Sequence, residues 1–367
     1  MIKFLDLYKQ YNSIKNEIDL AIENTIKNSS FIGGKPVKEF ESSFLKAIQS
    51  KYCIGVGNGT DALEIALEAA DLEPNSEVIV PANSFIASSE AVSRLGYKVV
   101  FVDIDPNNYT LSIDEVRKAI NENTSAIIAV HLYGHPCDMD SLMALAKKFD
   151  LVVIEDCAQA HLAEFKGKVV GSIGHFGTFS FYPGKNLGAY GDGGAVTTNS
   201  ESFAERVRKI ANHGRIGKYD HEFEGRNSRL DGLQAAILSC KLKHLSSWTN
   251  RRIDIADKYL TSLSDIGEIK LPFREDWAKQ VYHLFVIRCE SPLKLKEFLL
   301  ENGIETGVHY PIALPKLPAY KYLNQIENAP LACSLDSTLL SLPIGEHLTE
   351  QEVEHVISNI KRYYAKS

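Results

Sequence analysis

The sequence predicts an α/β fold of three layers, with a mainly parallel sheet between helices and a smaller C-terminal α+β unit. Three observations predict it. Short apolar runs alternate with helically spaced segments from Lys51 to Ile154. Those runs are continuous rather than alternating, as happens where helices cover both sheet faces. A chain of 367 residues also exceeds what one small core requires, so a larger unit over 1–250 and a smaller one over 251–367 are expected.

Tyr52 to Val56 predicts a strand and Asp61 to Ala70 a helix; Glu77 to Val80 a strand and Ser84 to Leu95 a helix; Val99 to Val102 a strand and Ile113 to Ile120 a helix. The rhythm continues with a strand at Ala126 to His131, a helix at Met139 to Phe149 and a strand at Leu151 to Ile154. A Gly-rich stretch then runs from Gly167 to Gly194, with strands expected near Thr178 to Tyr182 and Ala195 to Thr198. Leu230 to Leu245 has helical spacing and leads to a linking helix at Arg251 to Leu263. The smaller unit is expected to hold a strand at Tyr282 to Arg288 and helices at Leu293 to Glu301 and Glu350 to Tyr363.

Composition narrows the class of function. Hydrophobic residues at 44% and charged residues at 24% suit a globular enzyme and oppose disorder. The formal charge of −7, with no dense Lys or Arg run, disfavours a nucleic-acid partner. No stretch approaches the length of a membrane span, and Met1 to Asp6 has no signal-peptide core, so a cytoplasmic location is expected. Six cysteines lie far apart without a Cys-x-x-Cys pair, which argues for reduced thiols and against a metal site.

In parallel sheets ligands collect beyond the carboxyl ends of strands, and three segments there stand out. Gly57-Asn58-Gly59-Thr60 ends a strand and opens a helix, where backbone amides and partial positive charge suit a phosphate. A tight turn with Thr60 as helix cap explains the same residues. So does a loose Gly-x-Gly-x-x-Ala dinucleotide pattern through Ala62, which would make the protein a nicotinamide dehydrogenase. Glu155-Asp156 follows an apolar strand, where a carboxylate is costly unless a cation or several donors meet it. Lys185 lies in a Gly-rich turn after the aromatic run Ser180-Phe181-Tyr182-Pro183, where desolvation would make its amine nucleophilic. A phosphate-loop ATPase is excluded, because Asn186 follows Gly184-Lys185 and Phe179 occupies the required upstream glycine position.

Together these segments resemble the DegT/DnrJ/EryC1/StrS sugar aminotransferases, within the aspartate-aminotransferase-like fold. The resemblance runs from Phe4-Leu5-Asp6-Leu7 to Val308-His309-Tyr310-Pro311 and the last helix. It rests on Gly59-Thr60-Asp61-Ala62, on Glu155 through His161 and on Ser180 through Gly194, which occur in that order. It implies pyridoxal 5'-phosphate (PLP) as cofactor, joined to Lys185, which also moves the proton during turnover. Asp156 would pair with the ring nitrogen, Gln159 with the phenolic oxygen, and Gly59, Thr60 and Ser180 with the phosphate. Phe85 would stack on one ring face while Ala158 leaves room on the other. The resemblance further implies a homodimer with shared active sites, in which Asn227 and Arg229 reach the neighbouring subunit's site and Asn227 touches its cofactor phosphate. Tyr182, Arg215, Arg229, His309 and Tyr310 would face substrate. Cys157 and Leu162 depart from the family pattern, which usually has a small apolar residue and a glycine there.

The pattern from Phe181 to Gly194 looks more like family members that aminate a sugar's third carbon. A dTDP-3-keto-6-deoxyhexose with L-glutamate as donor is therefore the leading substrate pair. UDP- or GDP-linked 4-keto sugars, a dehydrogenase, and a non-catalytic PLP-binding regulator are the alternatives.

Overall fold

In a computed structural model, residues 1–365 are described. Its strands are β1 (Tyr52–Val56), β2 (Glu77–Pro81), β3 (Lys98–Val102), β4 (Thr124–Val130), β5 (Val152–Asp156), β6 (Glu164–Phe165), β7 (Lys168–Val169), β8 (Phe176–Ser180), β9 (Gly194–Thr198), β10 (Ile269–Lys270), β11 (Ala278–Lys279), β12 (Phe285–Cys289) and β13 (Leu339–Leu342). Seven of them form the main sheet in the order β1-β9-β8-β5-β4-β2-β3. Every neighbouring pair from β8 to β3 is parallel. β9 runs antiparallel to both β8 and β1, so two reversals return β1 to the direction of β8. The carboxyl ends of β1, β4, β5 and β8 therefore open along one edge, and the site lies there.

The continuous apolar runs are explained by burial: in β5 and β8 nearly every residue is enclosed, and β4 contributes Ala126, Ile127, Ile128 and Ala129 without exposure. Residues 7–48, unassigned from the sequence, form helices Leu7–Ser13, Lys15–Lys27 and Gly34–Ile48. The third of these buries Phe40, Phe44 and Ile48 at helical spacing. Its two phenylalanines meet Phe179 and Phe181 edge to face at 4.9–5.3 Å, which anchors the strand leading to Lys185. Burying each such ring contributes about 1.5–3 kcal/mol.

Several boundaries differ from expectation for local reasons. The strand expected from Tyr282 starts at Phe285, because Tyr282 has a φ of 47°, outside the extended region. The helix after β1 starts at Gly59, and its cap is Asn58 rather than Thr60: the Asn58 side chain accepts from the Asp61 amide at 2.8 Å. The linking helix begins earlier than Arg251 and runs Leu245–Ser262. A separate buried cluster draws on residues from Ile255 to Ile360 together with Ile2, around the sheet β10-β12-β13. That cluster supports a division near the linking helix, which we propose as the boundary between the two units. Among the described residues, no helix is long and apolar enough to cross a membrane. All six cysteines are free and five are buried.

Candidate active site

Strand register brings the sequence motifs together. Val130 pairs with Asp156 across β4 and β5, and Asp156 with Thr178 across β5 and β8. Gly194 pairs with both Ser180 and Val56, which places the end of β1 beside the end of β8. The result is a cavity of about 1030 Å³. Gly59, Thr60, Phe85, Asp156, Ala158, Gln159, Ser180, Tyr182, Lys185, His309 and Tyr310 all line it. Arg215, Asn227 and Arg229 do not; Asn227 is exposed and accepts a hydrogen bond from the Arg229 guanidinium at 2.6 Å.

One end of the cavity is built for an anion. The first N–H groups of a helix have no acceptor within it. Asn58 satisfies that of Asp61, leaving those of Gly59 and Thr60 without an intrahelical partner. Gly59 is required by the approach of β8: a Cβ there would stand 2.6 Å from the Ser180 Cβ. The helix start and the Ser180 hydroxyl thus form a tight phosphate-sized cradle.

The middle of the cavity holds the amine and the Asp156 carboxylate. Side chains alternate along β5, so Asp156 and Glu155 face opposite sides. Asp156 lines the cavity. Glu155 points into the interior and accepts from the amides of Gly171 (2.8 Å), Ile173 (2.8 Å) and Gly174 (2.7 Å), and from His131 Nε2 at 3.0 Å. His131 Nδ1 accepts from the Cys137 amide at 3.0 Å, so Nε2 carries the proton that faces Glu155. Although His131, Glu155 and Cys157 gather their donor atoms within 4.8 Å, the His131 and Glu155 atoms are committed to these hydrogen bonds. The cluster is a hydrogen-bonded knot beneath the site.

Lys185 is half-buried, and its amine makes no hydrogen bond or ion pair among the described residues. Desolvation lowers its pKa to about 8, with the Asp156 charge acting in the opposite direction. Its turn is closed by the Lys185 amide donating to the Tyr182 carbonyl at 2.9 Å. Gly188 is needed in that turn, because a Cβ would lie 2.3 Å from the Pro183 carbonyl oxygen. Lys241, fully buried, donates to the Gly188 carbonyl at 2.8 Å. His283 Nδ1 lies 3.1 Å from Asn186 Oδ1, which ties the turn to the C-terminal segment.

The wall formed by Phe85, Gln159, His309 and Tyr310 is aromatic and neutral. Gln159 accepts from the Tyr133 amide at 2.7 Å and donates to the Tyr310 hydroxyl at 2.9 Å, leaving one amide proton uncommitted. Phe85 is 54% exposed, open to a flat ligand, with its ring 5.8 Å from that of Tyr310. Burial, then the Lys185 charge, lowers the pKa of His309 to about 4. His309 Nδ1 lies 2.8 Å from the Ser341 hydroxyl, and the ring stacks on Phe4 at 5.6 Å. His161 lies fully buried between Phe179 and Phe181, its pKa lowered to about 3 by burial and then by Lys185. Leu162, beside it, has a φ of 65°; that left-handed conformation accounts for the glycine usual at this position.

Sequence reasoning missed several lining residues. Ser88 donates to Asp156 and Ser84 stands behind it, while Arg252 and His283 close the C-terminal side. At the mouth, buried Glu64 pairs with Arg226 and with Arg94. Only the Ser84-x-x-x-Ser88 spacing offered a local signal, since in the helix expected from Ser84 to Leu95 it would set two hydroxyls on one face; in the structure Ser84 lies in the turn before the helix and still meets Ser88.

These groups fit PLP: an anion cradle, a desolvated amine and a buried carboxylate share one cavity. Residues 12–361 match the DegT/DnrJ/EryC1/StrS aminotransferase family. The chain is 45% identical over 363 residues to the dTDP-3-amino-3,6-dideoxy-alpha-D-galactopyranose transaminase of Aneurinibacillus thermoaerophilus, covering 99% of each chain. Among solved structures it is similar to S. venezuelae DesV in complex with a ketimine intermediate, with a TM-score of 0.95 and 40% identity over 99% of this chain and 98% of that one. It is also similar to the PLP form of the putative sugar aminotransferase Spr1654 from Streptococcus pneumoniae, with a TM-score of 0.89 and 27% identity over 96% of each chain.

Proposed function

The chain belongs to the DegT/DnrJ/EryC1/StrS aminotransferase family, and on that premise we propose that it moves an amino group from L-glutamate to a dTDP-linked 3-keto-6-deoxyhexose. It is a PLP-dependent sugar aminotransferase. The dinucleotide reading of Gly57 to Ala62 is thereby overturned; Ala62 is fully buried in the helix that packs on the sheet. The observation that carries the proposal is the unpartnered, desolvated Lys185 amine in one cavity with Asp156.

Bound PLP supplies an electron sink for the carbon that loses its proton. In our reading Lys185 would hold the cofactor covalently, and its amine, when free, would be the group that takes and returns the substrate proton. Asp156 would pair with the ring nitrogen. Gly59, Thr60 and Ser180 would bind the phosphate, Gln159 would donate its free amide proton to the phenolic oxygen, and Phe85 and Ala158 would flank the ring. Tyr182, His309 and Tyr310 face the sugar. His309 would act there as a neutral imidazole at physiological pH.

Arg215, Asn227 and Arg229 have no place in the cavity of a single chain, and we assign them to the site of a second copy. Support comes from Ile216 and Tyr219, which are 68% and 80% exposed beside Arg215. The working form is accordingly a homodimer with shared sites, in the cytoplasm, where its free cysteines stay reduced.

The lowered pKa sets a pH dependence. The neutral amine is the nucleophile, so Lys185 gains reactivity as pH rises through about 8. The rate of covalent PLP uptake by the apoprotein, followed by absorbance, should rise with pH and level off just above that value. A rise that continues to the range of an ordinary lysine would contradict a desolvated Lys185.

Substrate is tested with a panel. PLP-loaded protein is given glutamate and dTDP-, UDP- and GDP-linked keto sugars, and the aminated carbon is read by NMR. Amination at the third carbon of the dTDP sugar is expected. Amination of a 4-keto sugar alone would move the specificity, and PLP binding without transfer to any sugar would favour a regulator.

A further inference from the structure

The Asp156 carboxylate is 6% exposed and accepts two hydrogen bonds. The Ala158 amide donates to Oδ1 at 3.1 Å, and the Ser88 hydroxyl donates to Oδ2 at 2.9 Å. Ser88 Oγ lies 2.8 Å from Ser84 Oγ. Both serines are buried, at 1% and 4% exposure, so no bulk water competes for these hydroxyls. Ser84 lies in the turn before the helix Ala87–Arg94 and Ser88 is the second residue of that helix.

Proton counting gives the chain a direction. A serine hydroxyl has one proton to donate. An ionised carboxylate can only accept, so Ser88 spends its proton on Asp156 and must accept from Ser84. The order is Ser84 to Ser88 to Asp156. A donor on each of its two oxygens fixes the orientation of the Asp156 carboxylate. Ser88 and the Ala158 amide occupy one direction at each oxygen, which leaves the other directions open toward the cavity.

We propose that Ser88, backed by Ser84, is a positioning residue that holds the Asp156 carboxylate aimed at the ring nitrogen of PLP. This rests on the reading that Asp156 pairs with that nitrogen. Ser88 acts through Asp156, so its effect should vanish with a cofactor that has no ring nitrogen.

The test titrates full-length apoprotein with PLP and with its 1-deaza analogue, in which a C–H replaces the ring nitrogen. Wild type, Asp156→Ala, Ser88→Ala, Ser88→Thr and Ser84→Ala are compared. Asp156→Ala should weaken PLP binding about 100-fold and leave the analogue no weaker. Ser88→Ala should weaken PLP about tenfold with the analogue unchanged, Ser88→Thr should restore it, and Ser84→Ala should cost about threefold in the same sense. If Asp156→Ala discriminates between the two cofactors while Ser88→Ala weakens both alike or neither, the relay is overturned and the reading of Asp156 stands. If Asp156→Ala itself does not discriminate, that reading falls and the relay with it. Should Ser88→Ala fail to fold, Ser84→Ala alone decides: discrimination supports the relay, and its absence overturns it.

Discussion

Replacing Lys185 with Ala is expected to abolish amino transfer, lowering kcat by at least about ten-thousand-fold, while PLP still binds without a covalent link. The size follows from two roles lost at once. The amine is the covalent anchor, and it is the group that carries the proton in each half of the reaction. Among the described residues that line the cavity, no second lysine stands ready to replace it. The pockets for the phosphate and ring nitrogen are built by other residues, so retention of cofactor after dialysis should survive in part. Lys185→Arg separates charge from chemistry: it keeps a cation but offers no nucleophile at ordinary pH, and should be as inactive. Activity within about tenfold of wild type in either variant would remove Lys185 from the chemistry.

The second large effect is on stability. Glu155→Ala should destabilise the fold by about 3–5 kcal/mol, measured by urea unfolding of the apoprotein. Glu155 is fully buried and gathers three backbone amides from 171–174 together with His131. Removing it leaves all four donors without this acceptor. Glu155→Gln should cost less but not be neutral, because its amide group would face a donor where the carboxylate accepted. A loss below about 1 kcal/mol for the alanine variant would mean that these donors find other acceptors.

How much of this was legible in sequence varied with the kind of signal. Apolar runs such as Leu151 to Ile154 announced the strands because burial on both faces needs unbroken hydrophobicity. The phosphate cradle and Lys185 were legible because a glycine-rich helix start and a lysine in a glycine-rich turn are local patterns. Glu155 was read only as an acid at a strand end. Its donors arrive from 171–174, a contact that no local pattern encodes. The tie between Gln159 and Tyr310 spans 151 residues and was equally hidden. So were the two-residue strands β6, β7, β10 and β11, too short for any periodicity to show. Asn58 took the cap from Thr60 because the helix starts two residues earlier than its apolar pattern. Residues 215, 227 and 229 could be named from resemblance but not seated, since one chain does not enclose them.

The most direct measurement is chemical. Holoprotein is reduced with borohydride, digested, and the peptide carrying the cofactor is sequenced by mass spectrometry. The reduced cofactor should be found on the peptide that contains Ser180 through Leu187, attached to Lys185 alone. Attachment to any other lysine, or a protein that carries no reducible cofactor, would contradict the assignment on which every residue role here depends.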